Sequence, residues 1–181
     1  MPKKTEAQAI RSKEWMVEAL ICLMKEKAFA EITIAEVAKR ADLDRRTFYR
    51  HFKAKEDMIR YKIRKMAEEY EALLLKDHVF TTRSILRSFF TVCEKNKALL
   101  TLFYRHNQLP LLLYELNTLC HRFHDQYTIA GTLPVHDDTG YALAYHIGGL
   151  WNILNKWLSE GARRRPAEIA FVIKDILPEF I

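Results

Sequence analysis

The chain has 181 residues, 49% of them hydrophobic, with only five glycines, five prolines and a net charge of +6. That is enough apolar material for a sizeable core in one or two domains, and it excludes an intrinsically disordered chain. No stretch reaches the ~18 uncharged apolar residues that cross a bilayer, and the basic start MPKKTEAQAIRSK has no apolar run behind it. A cytoplasmic protein without membrane helix or secretory leader is therefore expected.

Scarce glycine and proline between long helix-periodic stretches predict an all-α protein. A first helix covers roughly Thr5 to Lys27, with Ile10, Val17, Leu20, Ile21 and Met24 as its buried stripe. Thr33 then caps a short helix, with Glu36 at the capping-box spacing, and Ile34, Val37, Ala38 and Ala41 form one narrow apolar side. Ala41-Asp42-Leu43-Asp44 breaks it. Asp42 suits a left-handed turn position and Asp44 suits an N-cap. A third helix covers about Arg45 to Phe52. A long charged fourth begins at Lys55 and buries Met58, Ile59, Ile63, Met66, Tyr70 and Leu73. After the connector HVFTT, helices follow at Ile85 to Lys95, in ALLTLFYRH beyond Asn96, and from Leu109 to about Ile129. The loop AGTLPVHDDTG leads to YALAYHIGGLWNILNKWLSEG, and AEIAFVIKDILPEF closes the chain after RRRP. Cys22, Cys93 and Cys120, widely spaced among apolar neighbours, read as buried free thiols.

The charge is unevenly placed. Residues 1–65 hold 17 Lys and Arg against 10 Asp and Glu, whereas residues 66–181 hold 12 against 13. One part of the chain is thus built to meet an anion, with nucleic acid the best fit and an acidic protein or membrane surface the alternatives. RADLDRRTFYRHFKAKEDM, residues 40–58, concentrates the question. At about 100° per residue, Phe48 and Phe52 share one face and pack on Ile34, Val37 and Ala38, while Arg46 and Arg50 lie opposite, flanked by Thr47 and Tyr49. A solvated surface helix would show the same charges. Two short helices joined by a tight turn are, however, the helix-turn-helix layout, whose second helix enters the major groove. Arginine pairs with guanine O6 and N7, and Thr, Tyr and His donate to phosphate.

ITIAEVAKRADLDRRTFYRHFKAKEDM resembles the DNA-binding module of the TetR/AcrR family of bacterial transcription regulators. The features that match are Ile32-Thr33-Ile34, the Thr47-Phe48-Tyr49-Arg50-His51-Phe52 block and Lys55-Glu56-Asp57. The resemblance implies a helix-turn-helix domain over residues 10–70, with the motif at about 33–52, and a C-terminal helical ligand-binding and dimerisation domain over 71–181. It also implies that Thr33, Tyr49, His51 and Lys55 contact phosphates and that Arg45, Arg46 and Thr47 approach base edges. The family commonly has Gly where Asp42 stands and Ser where Asp44 stands. Asp44 is expected to cap the helix instead of touching DNA.

For the C-terminal part, the resemblance implies a homodimer formed through the last two helices and a palindromic double-stranded operator. Ile147, Leu150, Trp151, Leu154 and Leu158 form one candidate stripe and Phe171, Val172, Ile176 and Leu177 another, with ordinary intrachain core as the alternative. Gly148-Gly149 would be explained by close helix approach. Polar or aromatic residues on apolar faces, as candidates to line a small-molecule effector pocket, are Phe90, Phe103, His106, Tyr114, Asn117, His121, Tyr145, Trp151 and Asn152. No GxSxG, P-loop or HExxH pattern occurs, so no enzyme is expected. His121-x-x-His124 lacks a supporting ligand cluster, so neither metal nor cofactor is expected. The expected function is a homodimeric repressor released by a small molecule. The alternative is a regulator whose C-terminal domain binds a partner protein, as an activator or co-regulator.

Overall fold

The structure is a computed structural model and describes residues 2–76, 82–129 and 139–174. Among these residues the chain is all-α: α1 (Pro2–Glu26), a 3-10 turn (Phe29–Glu31), α2 (Ile34–Arg40), α3 (Arg45–His51), α4 (Lys55–Lys76), α5 (Thr82–Lys95), α6 (Lys97–Arg105), α7 (Leu109–Ile129), α8 (Thr139–Ser159) and α9 (Pro166–Lys174). The chain divides into two compact units, Met1–Lys62 and Ile63–Ile181, and the division falls inside α4. Most of the AGTLPVHDDTG loop, most of the HVFTT connector, and Ile176 and Leu177 lie outside the described residues.

In the first unit α1 packs on both α2 and α3. Met16, Val17, Leu20 and Met24 supply its buried stripe, and Phe29, Ile32, Val37, Ala38, Phe48, Phe52 and Met58 complete the core. Ile10, expected in that stripe, is instead exposed. The stripe begins at Ser12, which lies against α3 through His51. Trp15 also stands out to solvent.

In the second unit α5 packs on α9 and α7 on α8, and α6 touches α5, α7 and α8. Phe90 is edge-on to both Phe89 and Trp157, with centroids 5.2 and 6.3 Å apart. Glu115 is buried, and Arg64 of α4 holds it with two bonds of 2.9 and 3.1 Å. Leu74, in place of Leu73, ends the buried stripe of α4.

Ile147, Leu150, Leu154 and Leu158 are buried inside this unit, so most of the α8 stripe considered for a subunit interface is intrachain core. The outer face of α8 instead carries Tyr141, Tyr145, Gly149 and Asn152. A Cβ added at Gly148 or Gly149 would meet nothing within 4 Å, so no other helix of the described chain approaches there. Burial raises the Cys93 thiol far above its ordinary range and pushes half-buried Cys120 up to about 11. Cys22 and Cys120 are less buried than their neighbours suggested. No helix among the described residues is long and apolar enough to cross a membrane.

Candidate nucleic-acid interface and effector region

Three local devices present α3. Thr33 caps α2 by a full capping box: its Oγ1 accepts from the Glu36 N–H at 3.3 Å and donates to Glu36 Oε2 at 2.8 Å, while its own N–H reaches the same carboxylate oxygen at 2.9 Å. Thr33 and a salt bridge from Lys27 at 2.5 Å lower the Glu36 pKa to about 2, the lysine hydrogen bond being the larger cause. The helix then stops at Asp42, whose φ of 53° places it in the left-handed region. There the N–H of Leu43 bonds to Ala38 O at 3.0 Å and that of Asp42 to Lys39 O at 3.2 Å, satisfying the last carbonyls of α2. Finally Phe48, fully buried and edge-on to Tyr49 at 5.2 Å, pins α3 to the core. The tight turn and the inward Phe48 and Phe52 thus match what the sequence predicts.

The outward face of α3 carries Arg45, Arg46, Tyr49 and Arg50, all exposed, with Thr47 half-buried. Among the described residues none of the three arginines is in a salt bridge. Several other cations of the unit are committed. Arg40 grips Glu26 with two bonds of 2.7 Å, Lys62 pairs with Glu18 at 2.8 Å, and Lys13 lies 4.2 Å from the centroid of the Tyr61 ring. Paired charges cancel each other's field, so the uncommitted cations of α3 weigh more heavily in the potential of this surface than composition alone suggests. Glu26 lies fourteen residues before Arg40, beyond the reach of a local pattern.

Three residues expected on phosphates have other partners in the structure. Lys55 Nζ donates to the carbonyl oxygens of Phe29, Ala30 and Ile32 at 2.6, 3.2 and 3.0 Å and stands 4.5 Å from the Phe29 ring centroid. It ties the 3-10 turn to the start of α4 by supplying N–H donors to these carbonyl oxygens. His51 Nε2 lies 2.9 Å from Ser12 Oγ. The Ser12 hydroxyl donates to Ala9 O at 3.0 Å, so its lone pair is left to accept from the ring, which places the proton of neutral His51 on Nε2. Burial first, then Arg50 and Lys13, lower the His51 pKa. The Thr33 hydroxyl proton is likewise taken by Glu36. Asp44 differs in the opposite sense. Its backbone has N-cap geometry, with φ −72° and ψ 146°, but its carboxylate makes no capping bond. The expected capping role of this side chain is therefore corrected, since it does not turn toward the open N–H groups of α3.

The nine effector candidates do not converge. Phe90 and Phe103 are fully buried core, whereas Tyr114, His121, Tyr145 and Asn152 are exposed. Trp151, His106 and Asn117 are half-buried. The amides of Asn117 and Asn152 return to Leu113 O and Gly148 O on their own helices, each at 2.8 Å. A small cavity of ≈ 20 Å³ lies elsewhere, lined by Ile63, Met66, Ala67 and Tyr70 of α4, Phe89, Val92 and Cys93 of α5, and Leu112 and Leu116 of α7. Its wall is almost wholly apolar, and its sequence signal is the same helical spacing that marks ordinary core. Among the described residues no group of three His, Cys, Asp or Glu side chains could hold a metal ion.

This geometry defines a helix-turn-helix domain of the kind found in bacterial transcription regulators. Residues 11–61 match the family model described as bacterial regulatory proteins, tetR family. The first unit thus carries a DNA-binding domain of the tetR family type. A curated relative, the uncharacterized HTH-type transcriptional regulator YxbF of Bacillus subtilis (strain 168), is 26% identical over 111 residues, which are 61% of this chain. That match spans only 27% of the relative's length. The fold is similar to the fatty acid degradation regulator FadR from Bacillus halodurans, with TM-score 0.58 and 14% identity over 89% of this chain and 91% of that one. It is also similar to the dihydroxyacetone kinase operon activator DhaS, with TM-score 0.59 and 16% identity over 92% and 94% of the two chains. A third similar structure is the transcriptional regulator FadR from Bacillus subtilis in complex with stearoyl-CoA, with TM-score 0.56 and 17% identity over 88% and 94%.

Proposed function

We propose that this chain is a sequence-specific, homodimeric repressor that leaves a palindromic operator when a small molecule enters the second unit. The observation that carries the DNA-binding part is the outward face of α3, where Arg45, Arg46 and Arg50, unpaired among the described residues, stand beside exposed Tyr49. An arginine with no internal acceptor can form both bonds to a guanine edge without breaking anything first. Arg45, Arg46 and Thr47 approach bases in this reading, and Tyr49 holds a phosphate. The two protomers meet through α8 and α9, with Tyr145 and Gly149 on the first and Phe171 and Val172 on the second left exposed in the single chain.

Release follows from geometry. Half-sites on one face of a duplex repeat at about 34 Å, so a few ångströms of change between the two α3 helices prevents simultaneous docking. A ligand shifts that balance only by its different affinity for the two states. The apolar wall between α4, α5 and α7 favours an apolar effector group, and stearoyl-CoA in the Bacillus subtilis neighbour is compatible with that class. A second reading is a regulator that binds a partner protein through its second unit. The small volume of the cavity favours it, and DhaS, an operon activator, shares the fold.

The test is selection of bound fragments from a genomic library, followed by footprinting. Arg46→Ala or Tyr49→Ala is expected to abolish the footprint while leaving the dimer intact. Retention of the footprint at ordinary salt by both variants would refute the α3 assignment.

A further inference from the structure

We propose that Asp44 is a base-reading residue whose carboxylate accepts a hydrogen bond from the exocyclic amine of a cytosine, setting the preference at one position of each half-site. The proposal rests on the reading of α3 as the recognition helix and goes beyond it. An aspartate in this place caps the helix, neutralises a neighbouring cation, meets a group outside the chain or stands in water. The neighbouring helices do use acids locally. Glu36 closes the box on Thr33, and Asp57 Oδ2 accepts the N–H groups of Lys53 and Ala54 at 3.0 Å each ahead of α4. Asp44 does neither of the first two. Its carbonyl takes the Thr47 N–H at 2.8 Å, but its exposed carboxylate caps nothing and, among the described residues, pairs with no cation, although Arg45 and Arg46 follow it directly.

On DNA such a group is costly unless it finds a donor. A carboxylate repels phosphates whatever the sequence. It is acceptor-only, so guanine O6 and N7 and thymine O4 offer it nothing but lone pairs. Cytosine N4 offers a donor without an adjacent acceptor. Adenine N6 is a poorer match, because N7 stands beside it. Asp44 therefore weakens non-specific binding and restores affinity where a cytosine lies under it. Arg45 and Arg46, next in the chain, supply the complementary choice for guanine.

The experiment is selection from random duplexes with the full-length protein, wild type beside Asp44→Ala, Asp44→Asn and Arg46→Ala, with affinities for a fixed non-specific duplex measured in parallel. Wild type is expected to enrich cytosine at one position per half-site, by a factor on the order of 10 over other bases. Asp44→Ala flattens that position alone and binds non-specific DNA as well as wild type or better. Asp44→Asn, which keeps a good N-cap residue, moves the position toward adenine, for which asparagine offers both a donor and an acceptor. An unchanged cytosine preference in Asp44→Ala overturns the proposal, as does a uniform weakening on all sequences, which is what loss of a structural role would give. If Arg46→Ala also selects the wild-type sequence, the recognition-helix reading itself has failed. If Arg46→Ala loses binding while Asp44→Ala keeps the cytosine, only the Asp44 assignment falls.

Discussion

Replacing Lys55 by methionine separates two roles for one side chain. The resemblance implies a phosphate contact, whereas the structure puts the ammonium on the carbonyls of Phe29, Ala30 and Ile32. Methionine keeps the apolar stem near the Phe29 ring and removes only the charge. A hydrogen bond to a charged group contributes ~1.5–3 kcal/mol when sheltered. Lys55 is half-buried, and water can replace part of each bond, so about 1 kcal/mol per bond is the better figure. Three such bonds and ~0.5 kcal/mol for the cation over the ring give a loss of about 3.5 kcal/mol. The assay is urea unfolding by circular dichroism with linear extrapolation, together with operator affinity measured across salt concentrations. The expected result is a large loss of stability with the salt slope unchanged. A stability within ~0.5 kcal/mol of wild type, with a salt slope smaller by about 1, would refute the reasoning and return Lys55 to the phosphate.

Three further outcomes are expected. His51 has a folded pKa below its ordinary 6.5, so its neutral form stabilises the fold. That contribution is complete above about pH 6.5 and is lost as the pH falls through the lower folded value. His51→Asn should accordingly flatten the urea midpoint between pH 7 and pH 5, and an unaltered pH profile would contradict the lowering of this pKa by burial and by Arg50 and Lys13. In the second unit Arg64→Met removes the guanidinium that holds Glu115, 6% exposed, and should cost ~3 kcal/mol. Glu115→Gln leaves Arg64, 61% exposed, largely in water and should cost only ~1 kcal/mol. Equal urea midpoints for the two variants would remove the asymmetry on which this rests. On α8, Gly149→Ala should stabilise the helix by up to ~1 kcal/mol, because a Cβ there meets nothing within 4 Å. Gly149→Arg should give a folded monomer by sedimentation, and an undiminished dimer would exclude this face as the interface.

Helix positions were legible because they depend on neighbours three and four residues away. The periodicity places α7 at Leu109–Ile129, the box from Thr33 to Glu36 starts α2, and Asp42 takes the left-handed turn. Partners across helices were not legible. Arg40 finds Glu26, His51 finds Ser12 and Lys55 finds the 3-10 turn over separations of 14 to 39 residues, which no local pattern encodes. The failed convergence of the nine effector candidates has the same origin. Polarity on a helix face is visible in sequence, but whether that face turns to a cavity, to core or to water depends on what packs over it.

The amino-acid sequence by itself determined the all-helical class, the paired short helices and the face of α3 that points outward, since helix period, capping chemistry and a left-handed aspartate are properties of short segments. Only the tertiary structure decided which charges on that surface remain uncommitted. It drew Thr33, His51 and Lys55 into the scaffold, left Arg45, Arg46 and Arg50 open, and denied Asp44 a capping bond. The physical reason is that a charged group's role depends on the first donor or acceptor it meets in space, and in this chain most of those lie far away in sequence.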